Sequence, residues 1–165
     1  MELDRLARAD FVAALGGIFE HSPWVAEAVA DARPFGTVDR LHAAMVATVM
    51  AAGPERQLAL LKAHPELAGK LARSGGLTVA SAGEQASLGL DRLDDDEIAR
   101  FDRANAIYRE RFGFPFIVAV KAQRDRRAIL DALETRAGHD RPTELQTALA
   151  EVAKIARFRL EALVS

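Results

Sequence analysis

The chain has 165 residues, 50% of them apolar, with a formal net charge of −2 and a pI near 6.1, which predicts one domain over residues 1–165 with a sizeable core. The mild acidity argues against a nucleic-acid or anionic-membrane partner, which requires a clustered basic face, and no run of 18 apolar residues indicates a membrane span. Because there is no cysteine, disulfides, thiolate catalysis and cysteine-ligated zinc are excluded, and we expect a cytoplasmic protein.

Turn and cap signals divide the chain into about eight helices. The first is predicted over 4–15, ended by Gly16-Gly17, and Ser22-Pro23 has the pattern of an N-cap followed by a proline in the first helical position. Gly53-Pro54 stops one helix and starts the next, which ends at His64-Pro65 because proline disfavours helical geometry in the residue before it. The other helices are predicted over 37–52, 66–72, from Ser81 onward, 94–112, 124–136 and 142–164.

The predicted helix over 94–112 has a buried stripe, because its large apolar residues repeat at the spacing of one helical face. Asn105 lies on the same stripe. A buried amide must find hydrogen-bond partners or leave costly unpaired groups, so we predict that Asn105 is a structural hydrogen bonder rather than a substrate contact. The apolar members of the stripe are Ile98, Phe101, Tyr108 and Phe112.

The segment that follows this helix breaks the helical pattern. Gly113 and Pro115 disfavour a continuous helix, and 116–120 is a short apolar run. The fold class predicted from the sequence is therefore all-α: a single-domain bundle of about eight helices with one short, buried extended segment near 113–120.

Proton-transfer groups occur at two predicted helix boundaries. His64 is either a core histidine bonded to a backbone carbonyl or a group that gives and takes protons, since the unperturbed pKa of imidazole is about 6.5. Ser81-x-x-Glu84 has the spacing of a capping box, in which the Glu84 carboxylate bonds to the Ser81 amide; the alternative is a chemical role for Glu84. Gln85 offers both a donor and an acceptor, which suits an amide or ureido group.

Arg159 lies at the centre of an apolar arc of the last helix, while Arg157 points elsewhere. An arginine in that position forms a structural ion pair or binds an anion, because an unpaired buried charge is costly. The remaining histidines, His21, His42 and His139, are predicted to be solvated, and no ligand cluster indicates a metal site. The arc consists of Leu145, Leu149, Val152, Ile155, Ala156 and Leu163.

Five motifs, in order and at suitable spacing between Phe11 and Leu163, together resemble one family. They are Gly17-Ile-Phe-Glu-His-Ser-Pro-Trp24, the His64-Pro65 step, Ser81 through Gln85, the segment 112–117 and Lys154-Ile-Ala-Arg-Phe-Arg-Leu160. The chain resembles the 2-oxo-4-hydroxy-4-carboxy-5-ureidoimidazoline (OHCU) decarboxylases of urate breakdown. This resemblance implies an all-helical, commonly homodimeric enzyme without a cofactor. Such an enzyme removes carbon dioxide from a small ureidoimidazoline and protonates the product carbon stereospecifically, giving (S)-allantoin.

The resemblance also implies which residues form the site. His64 matches the catalytic histidine, and Glu84 and Arg159 complete the catalytic set, with Arg157 as the alternative match for the arginine. Two rival functions remain from the sequence: a cyclic-ureide hydrolase and a non-enzymatic helical interaction module. The implied substrate-binding residues are Pro65, Ser81 and Gln85, together with the backbone of Phe116, Ile117, Val118, Ala119 and Val120.

Overall fold

The computed structural model describes residues 1–69 and 73–165, and within these ranges the chain forms eight α-helices, three short 3-10 helices and no strand. The all-α prediction is therefore confirmed. None of the helices in this described part has the length and apolar content that crossing a membrane requires. The α-helices are α1 Arg8–Leu15, α2 Trp24–Val29, α3 Val38–Ala51, α4 Pro54–Ala63, α5 Val79–Ala86, α6 Asp95–Phe112, α7 Arg126–Arg136 and α8 Arg141–Val164; the 3-10 helices are Glu2–Arg5, Ala30–Ala32 and Val120–Ala122.

The chain divides into two compact units. The first comprises Met1–Ala63 and Ala156–Ser165, and the second comprises His64–Ile155. In the first unit α2 packs against α1 and α3, and α3 packs against α4. Its core includes the fully buried side chains of Phe11, Leu41 and Met45.

The start of the first unit differs from the prediction of one helix over 4–15. Leu6 is extended, and α1 begins only at Arg8. The reason is a long-range contact: the Asp4 carboxylate accepts hydrogen bonds from the N–H groups of Phe35 and Gly36, at 2.9 and 3.0 Å. These bonds fix Asp4 to a distant turn, and a propensity argument from local sequence does not include them.

The entry to α2 was also predicted wrongly at Ser22. Its hydroxyl donates a hydrogen bond to the Glu20 carbonyl at 2.9 Å instead of accepting one from the helix. Pro23 occupies the cap position, and α2 begins at Trp24. The predicted cap at Thr37 is confirmed, since its side chain accepts a hydrogen bond from the Arg40 N–H.

In the second unit, α6 is the longest helix that lies wholly within it, and it packs against α7. A capping box formed by Asp94 and Glu97 starts α6. Gly113 ends the helix at φ +78°, in the left-handed region that a residue with a side chain rarely adopts. The chain then leaves the helix as a buried, non-helical segment over 114–119, as predicted.

A turn replaces the start of the helix that was predicted over 66–72. Residues 66–69 are not helical, and the rest of that prediction lies at 70–72, outside the described residues. The turn follows His64-Pro65 directly, so it belongs to the segment that carries the predicted catalytic histidine.

Candidate active site

His64 opens the second unit and is nearly buried, with 8% of its surface exposed. Helix α4 ends at Ala63, and Pro65 keeps the chain from continuing as a helix. Three residues further on, Leu67 and Ala68 are buried, and Ala68 has φ +54°. A non-glycine residue in this left-handed region costs about 1–3 kcal/mol and persists only where surrounding contacts hold it. The turn at Leu67 and Ala68, which follows His64, is therefore held in place by contacts with other parts of the chain.

Ser81 and Glu84 do not form the predicted capping box. Helix α5 begins at Val79, and its N-cap is Thr78, whose hydroxyl accepts a hydrogen bond from the Ser81 N–H at 3.3 Å. Both residues therefore lie inside the helix, with Ser81 buried and Glu84 partly exposed. The capping role that the spacing favoured for Glu84 is thus excluded.

Gln85 joins α5 to the turn after His64. Its Oε1 accepts a hydrogen bond from the Ala68 N–H at 2.9 Å. Its Nε2 is also buried but has no hydrogen-bond partner among the described residues. Gln85 therefore holds a buried amide NH2 group that no described residue accepts from.

The backbone of the extended segment is anchored by two charged side chains. The Ile117 carbonyl accepts a hydrogen bond from Arg136 Nη1 at 2.8 Å, and the Ala119 N–H donates to the Glu151 carboxylate, also at 2.8 Å. All five residues of 116–120 are at most 5% exposed, so their side chains belong to the core. Helix α5 packs against the 3-10 helix Val120–Ala122, which brings the end of this segment next to the helix of Ser81 and Gln85.

Sequence reasoning missed a buried ionic cluster behind this segment. Glu144 is fully buried and accepts hydrogen bonds from Arg136 Nε at 2.8 Å and from the Tyr108 hydroxyl. His139 was predicted to be solvated, but its Nδ1 lies 3.0 Å from the second Glu144 oxygen and its side chain is only 35% exposed. The Arg136 guanidinium also covers the Phe116 ring, 4.5 Å from its centroid. The cluster thus fixes the segment through its backbone and through an aromatic ring.

Tyr108 provides a direct test of this cluster, because it is the only tyrosine in the chain. Burial, followed by its hydrogen bond to Glu144, raises the pKa of the Tyr108 hydroxyl well above its usual range. In the native protein we expect no rise in absorbance at 295 nm between about pH 9 and 11, whereas the unfolded chain titrates near pH 10. Ionisation of Tyr108 in the native protein near pH 10 would contradict the buried bond.

The sign of the linked stability change follows from the same shift. The folded state keeps the tyrosine proton where the unfolded state loses it, so the stabilisation is fully present below about pH 10 and is lost as the pH rises further. Urea unfolding at pH 8 and pH 11 measures it. The Tyr108→Phe variant is the control, since it has no such proton to lose.

Arg159 belongs to the first unit. Of the two roles that the sequence allowed, an ion pair or an anion site, the structure shows an ion pair. Arg159 Nη1 donates to the Glu20 carboxylate at 2.8 Å and to the Gly17 carbonyl at 3.2 Å, and both charged side chains are more than nine-tenths buried. Arg157 is more exposed and pairs with Asp39 and Glu161. The sequence analysis assigned no role to Glu20, although Glu20 lies within the motif over 17–24 on which the family resemblance rests.

The second unit thus contains all the predicted site residues except Arg159. Within it, the hydrogen bond from the Ala68 N–H to Gln85 Oε1 connects the turn after His64 to α5, and α5 contacts the end of the extended segment. In the described ranges, no group of three or more His, Cys, Asp or Glu side chains is arranged to hold a metal ion.

These features define an all-α protein in which a buried histidine is followed by a turn that is hydrogen-bonded to the buried carboxamide of Gln85. The family model of OHCU decarboxylase matches residues 4–161, and the chain belongs to this family. A relative named 2-oxo-4-hydroxy-4-carboxy-5-ureidoimidazoline decarboxylase, from Haloferax volcanii, is 48% identical over 159 residues, which cover 96% of this chain and 92% of the relative.

Two solved structures are similar to this fold. The crystal structure of (S)-allantoin synthase matches with a TM-score of 0.76 at 34% identity, and the match covers 98% of this chain and 52% of that one; this chain therefore spans about half of that protein. The crystal structure of OHCU decarboxylase in the presence of (S)-allantoin matches with a TM-score of 0.72 at 20% identity, over 91% and 96% of the two chains. At that identity the second likeness concerns the fold alone.

Proposed function

We propose that this protein decarboxylates OHCU to (S)-allantoin without a cofactor, in the degradation of urate. Membership of the OHCU decarboxylase family supports the reaction class. The observation that carries the proposal is the Gln85 carboxamide, which is bonded through Oε1 to the His64 turn and holds its Nε2 donor buried without a described partner. An unsatisfied buried donor costs about 1–3 kcal/mol. A carbonyl of the ureido group or of the ring would satisfy it.

The chemistry needs little more than orientation and proton transfer. The bond between the ring carbon and the carboxylate breaks, carbon dioxide leaves, and the electron pair spreads into the unsaturated ring of the substrate. A proton then adds from one face to C5, the ring carbon that bears the ureido group, while the C4 hydroxyl loses its proton and becomes a carbonyl. The face of addition fixes the hand of the product. His64 transfers protons in this scheme, and Glu84 orients His64 or bonds to the substrate, a choice in keeping with its place inside α5 rather than at a cap.

Burial of the site residues favours this scheme. His64, Ser81 and Gln85 are each less than 9% exposed, and fixed dipoles in a site that excludes water stabilise developing charge more strongly than water does. Pro65 helps to set the direction of the His64 backbone. Ser81 is proposed as a further hydrogen-bonding partner of the substrate.

The segment 116–120 is proposed to hold the ring through its backbone, because its side chains are packed in the core. The Ile117 carbonyl and the Ala119 N–H already bond to Arg136 and Glu151. We therefore assign the ring contacts to other backbone groups of the segment. Arg136 and Glu151 supply rigidity, which keeps reacting groups in a productive geometry.

Arg159 is proposed to offset the negative charge of the substrate. The support for this role is the match of Arg159 to the arginine near the C-terminus of the family; in the structure its guanidinium bonds to Glu20 and to the Gly17 carbonyl within the first unit. We further propose that the protein is a cytoplasmic homodimer, a proposal that rests on the family resemblance. Sedimentation of the purified protein tests the dimer, because a dimer has twice the mass of one chain.

The decisive experiment for the reaction class is the product balance with freshly prepared OHCU. We expect one carbon dioxide released for each OHCU consumed, at a rate well above the spontaneous decay. A cyclic-ureide hydrolase would give a ring-opened acid without carbon dioxide, and a non-enzymatic interaction module would leave the rate of decay unchanged. Either of these results would overturn the proposed function.

A further inference from the structure

One face of α6 contacts the segment that carries His64. Arg109 forms an ion pair with Glu66, and Asn105, one helical turn earlier, donates from Nδ2 to the Leu67 carbonyl at 2.9 Å. Arg73 pairs with Asp102, one turn earlier again, at 3.1 Å. Residues three and four apart lie on one face of a helix. The segment after His64 is therefore bound to α6 by several polar contacts on one helical face.

Asn105 and Gln85 hold the same peptide group from its two ends. Asn105 bonds the carbonyl of Leu67, and Gln85 bonds the N–H of Ala68, which belongs to the same planar unit. Two hydrogen bonds on opposite edges of a rigid plane fix its orientation. The peptide lies three residues after His64 in the same short non-helical segment, so its orientation restrains the backbone that leads from His64.

The held peptide leads directly into the strained residue of the turn. Ala68 is fully buried at φ +54°, a conformation that glycine adopts at no cost and alanine does not. Its own carbonyl accepts a hydrogen bond from Arg73 at 2.6 Å. The hydrogen bonds with Asn105, Gln85 and Arg73 thus restrain the peptide groups on both sides of Ala68 and support this conformation.

The Asn105 amide is costly in its own position. It lies on the apolar stripe of α6, is 3% exposed, and its Oδ1 has no hydrogen-bond partner among the described residues. An apolar side chain there would avoid the unsatisfied oxygen, so the benefit of the amide lies in the bond that it makes to the turn.

We propose that Asn105 is a positioning residue for the decarboxylation: through the peptide between Leu67 and Ala68, it holds the His64 imidazole where proton transfer occurs. This inference rests on the proposed function of His64. It assigns no contact with the substrate to Asn105.

The first test separates the chemical step from substrate binding. For Asn105→Ala we expect kcat to fall about 10- to 100-fold, the range that a displaced catalytic group gives, with KM changed less than about twofold. Asn105→Leu keeps the number and branching of the side-chain heavy atoms, removes the donor and should behave alike, which covers the case in which the alanine variant does not fold. Asp94→Ala is the matched control, since it removes the cap of the same helix and should lower stability without lowering kcat at 25 °C.

Two double variants distinguish positioning from a general structural effect. In the His64→Ala background, Asn105→Ala should lower the residual rate less than twofold, because residues that act as a unit are not additive. In the Asn105→Ala background, Ala68→Gly should restore kcat by about fivefold or more, since glycine needs no clamp to adopt φ +54°.

Three results would overturn the proposal: a normal kcat in both Asn105 variants, a further loss of rate in the His64→Ala background as large as in the wild type, or no rescue by Ala68→Gly. Failure of the proposed function looks different. In that case the wild-type protein would not accelerate the decay of OHCU, or His64→Ala would retain the full rate. A slow His64→Ala variant beside a fully active Asn105→Ala variant would reject the positioning role alone.

Discussion

Replacing His64 with alanine is expected to lower kcat for OHCU by about 10² to 10⁴, the usual contribution of a proton-transfer group. The imidazole is nearly buried and follows directly on the end of α4, so its loss removes the proposed proton carrier without removing a core hydrophobic side chain. We expect the far-ultraviolet circular dichroism and the melting temperature to stay close to those of the wild type. Initial rates on freshly prepared OHCU measure the effect.

His21→Asn is the matched control for that experiment. His21 is exposed and has φ +46°, and asparagine tolerates this conformation better than most residues. The control removes an imidazole that has no proposed role, so its rate should lie within about twofold of the wild-type rate. A folded His64→Ala variant that is as fast as this control would exclude His64 from proton transfer.

Replacing Arg159 with alanine is expected to lower the free energy of unfolding by about 3–5 kcal/mol, because it leaves the buried Glu20 carboxylate without its partner. Chemical denaturation measures this loss. Low activity in this variant would by itself not reveal whether Arg159 binds an anion, since a destabilised protein also loses activity.

The double variant Glu20→Leu/Arg159→Met separates the two roles. Replacing both members of a buried ion pair with apolar residues is often neutral for stability, so we expect a folded protein. If Arg159 offsets substrate charge, this protein should show a raised KM or a lowered kcat. A folded double variant with normal kinetics would limit Arg159 to its ion pair with Glu20.

Arg157→Ala tests whether Arg157, rather than Arg159, is the arginine that offsets the charge of the substrate. Arg157 lies nearer the surface, and its partners Asp39 and Glu161 are both exposed. Exposed ion pairs contribute little to stability, so neither stability nor kcat should change appreciably. A large loss of kcat in Arg157→Ala, with Arg159→Met/Glu20→Leu unaffected, would exchange the roles of the two arginines.

The features that could be predicted from the sequence are those with a local physical cause. Proline and glycine set the boundary at Gly53-Pro54 and the end of α6 at Gly113, because both act on the backbone of their immediate neighbours. The burial of Phe101, Tyr108 and Phe112 on α6 and the hydrogen-bonding role of Asn105 followed from helical periodicity, whereas Ile98 is only half-buried. Apart from that of Ile98, these predictions are confirmed.

Competition between similar local patterns explains the error at α5. Thr78 stands three residues before Ser81, just as Ser81 stands three residues before Glu84, and both Thr and Ser are good N-caps. The structure uses Thr78. The presence of Glu at the third position favoured Ser81 in the sequence, but the helix starts earlier and encloses both Ser81 and Glu84.

Features that depend on distant residues could not be predicted. The partners of Glu144 come from α6, from α7 and from the turn before α8, and no spacing rule joins them. The left-handed conformation of Ala68 could not be predicted either, because it is supported by side chains 5 to 37 positions away. For Glu20 a signal existed, since it lies in a recognisable motif, but only the structure supplies Arg159 as its partner.

The central claim, that this protein directs decarboxylation to one hand of allantoin, is tested most directly by circular dichroism of freshly oxidised urate during decay. With the protein present, we expect a dichroic signal of (S)-allantoin that persists after carbon dioxide release is complete. With His64→Ala we expect slow decay to racemic allantoin, which leaves no lasting dichroic signal. A racemic product in the presence of the folded wild-type protein would contradict the account.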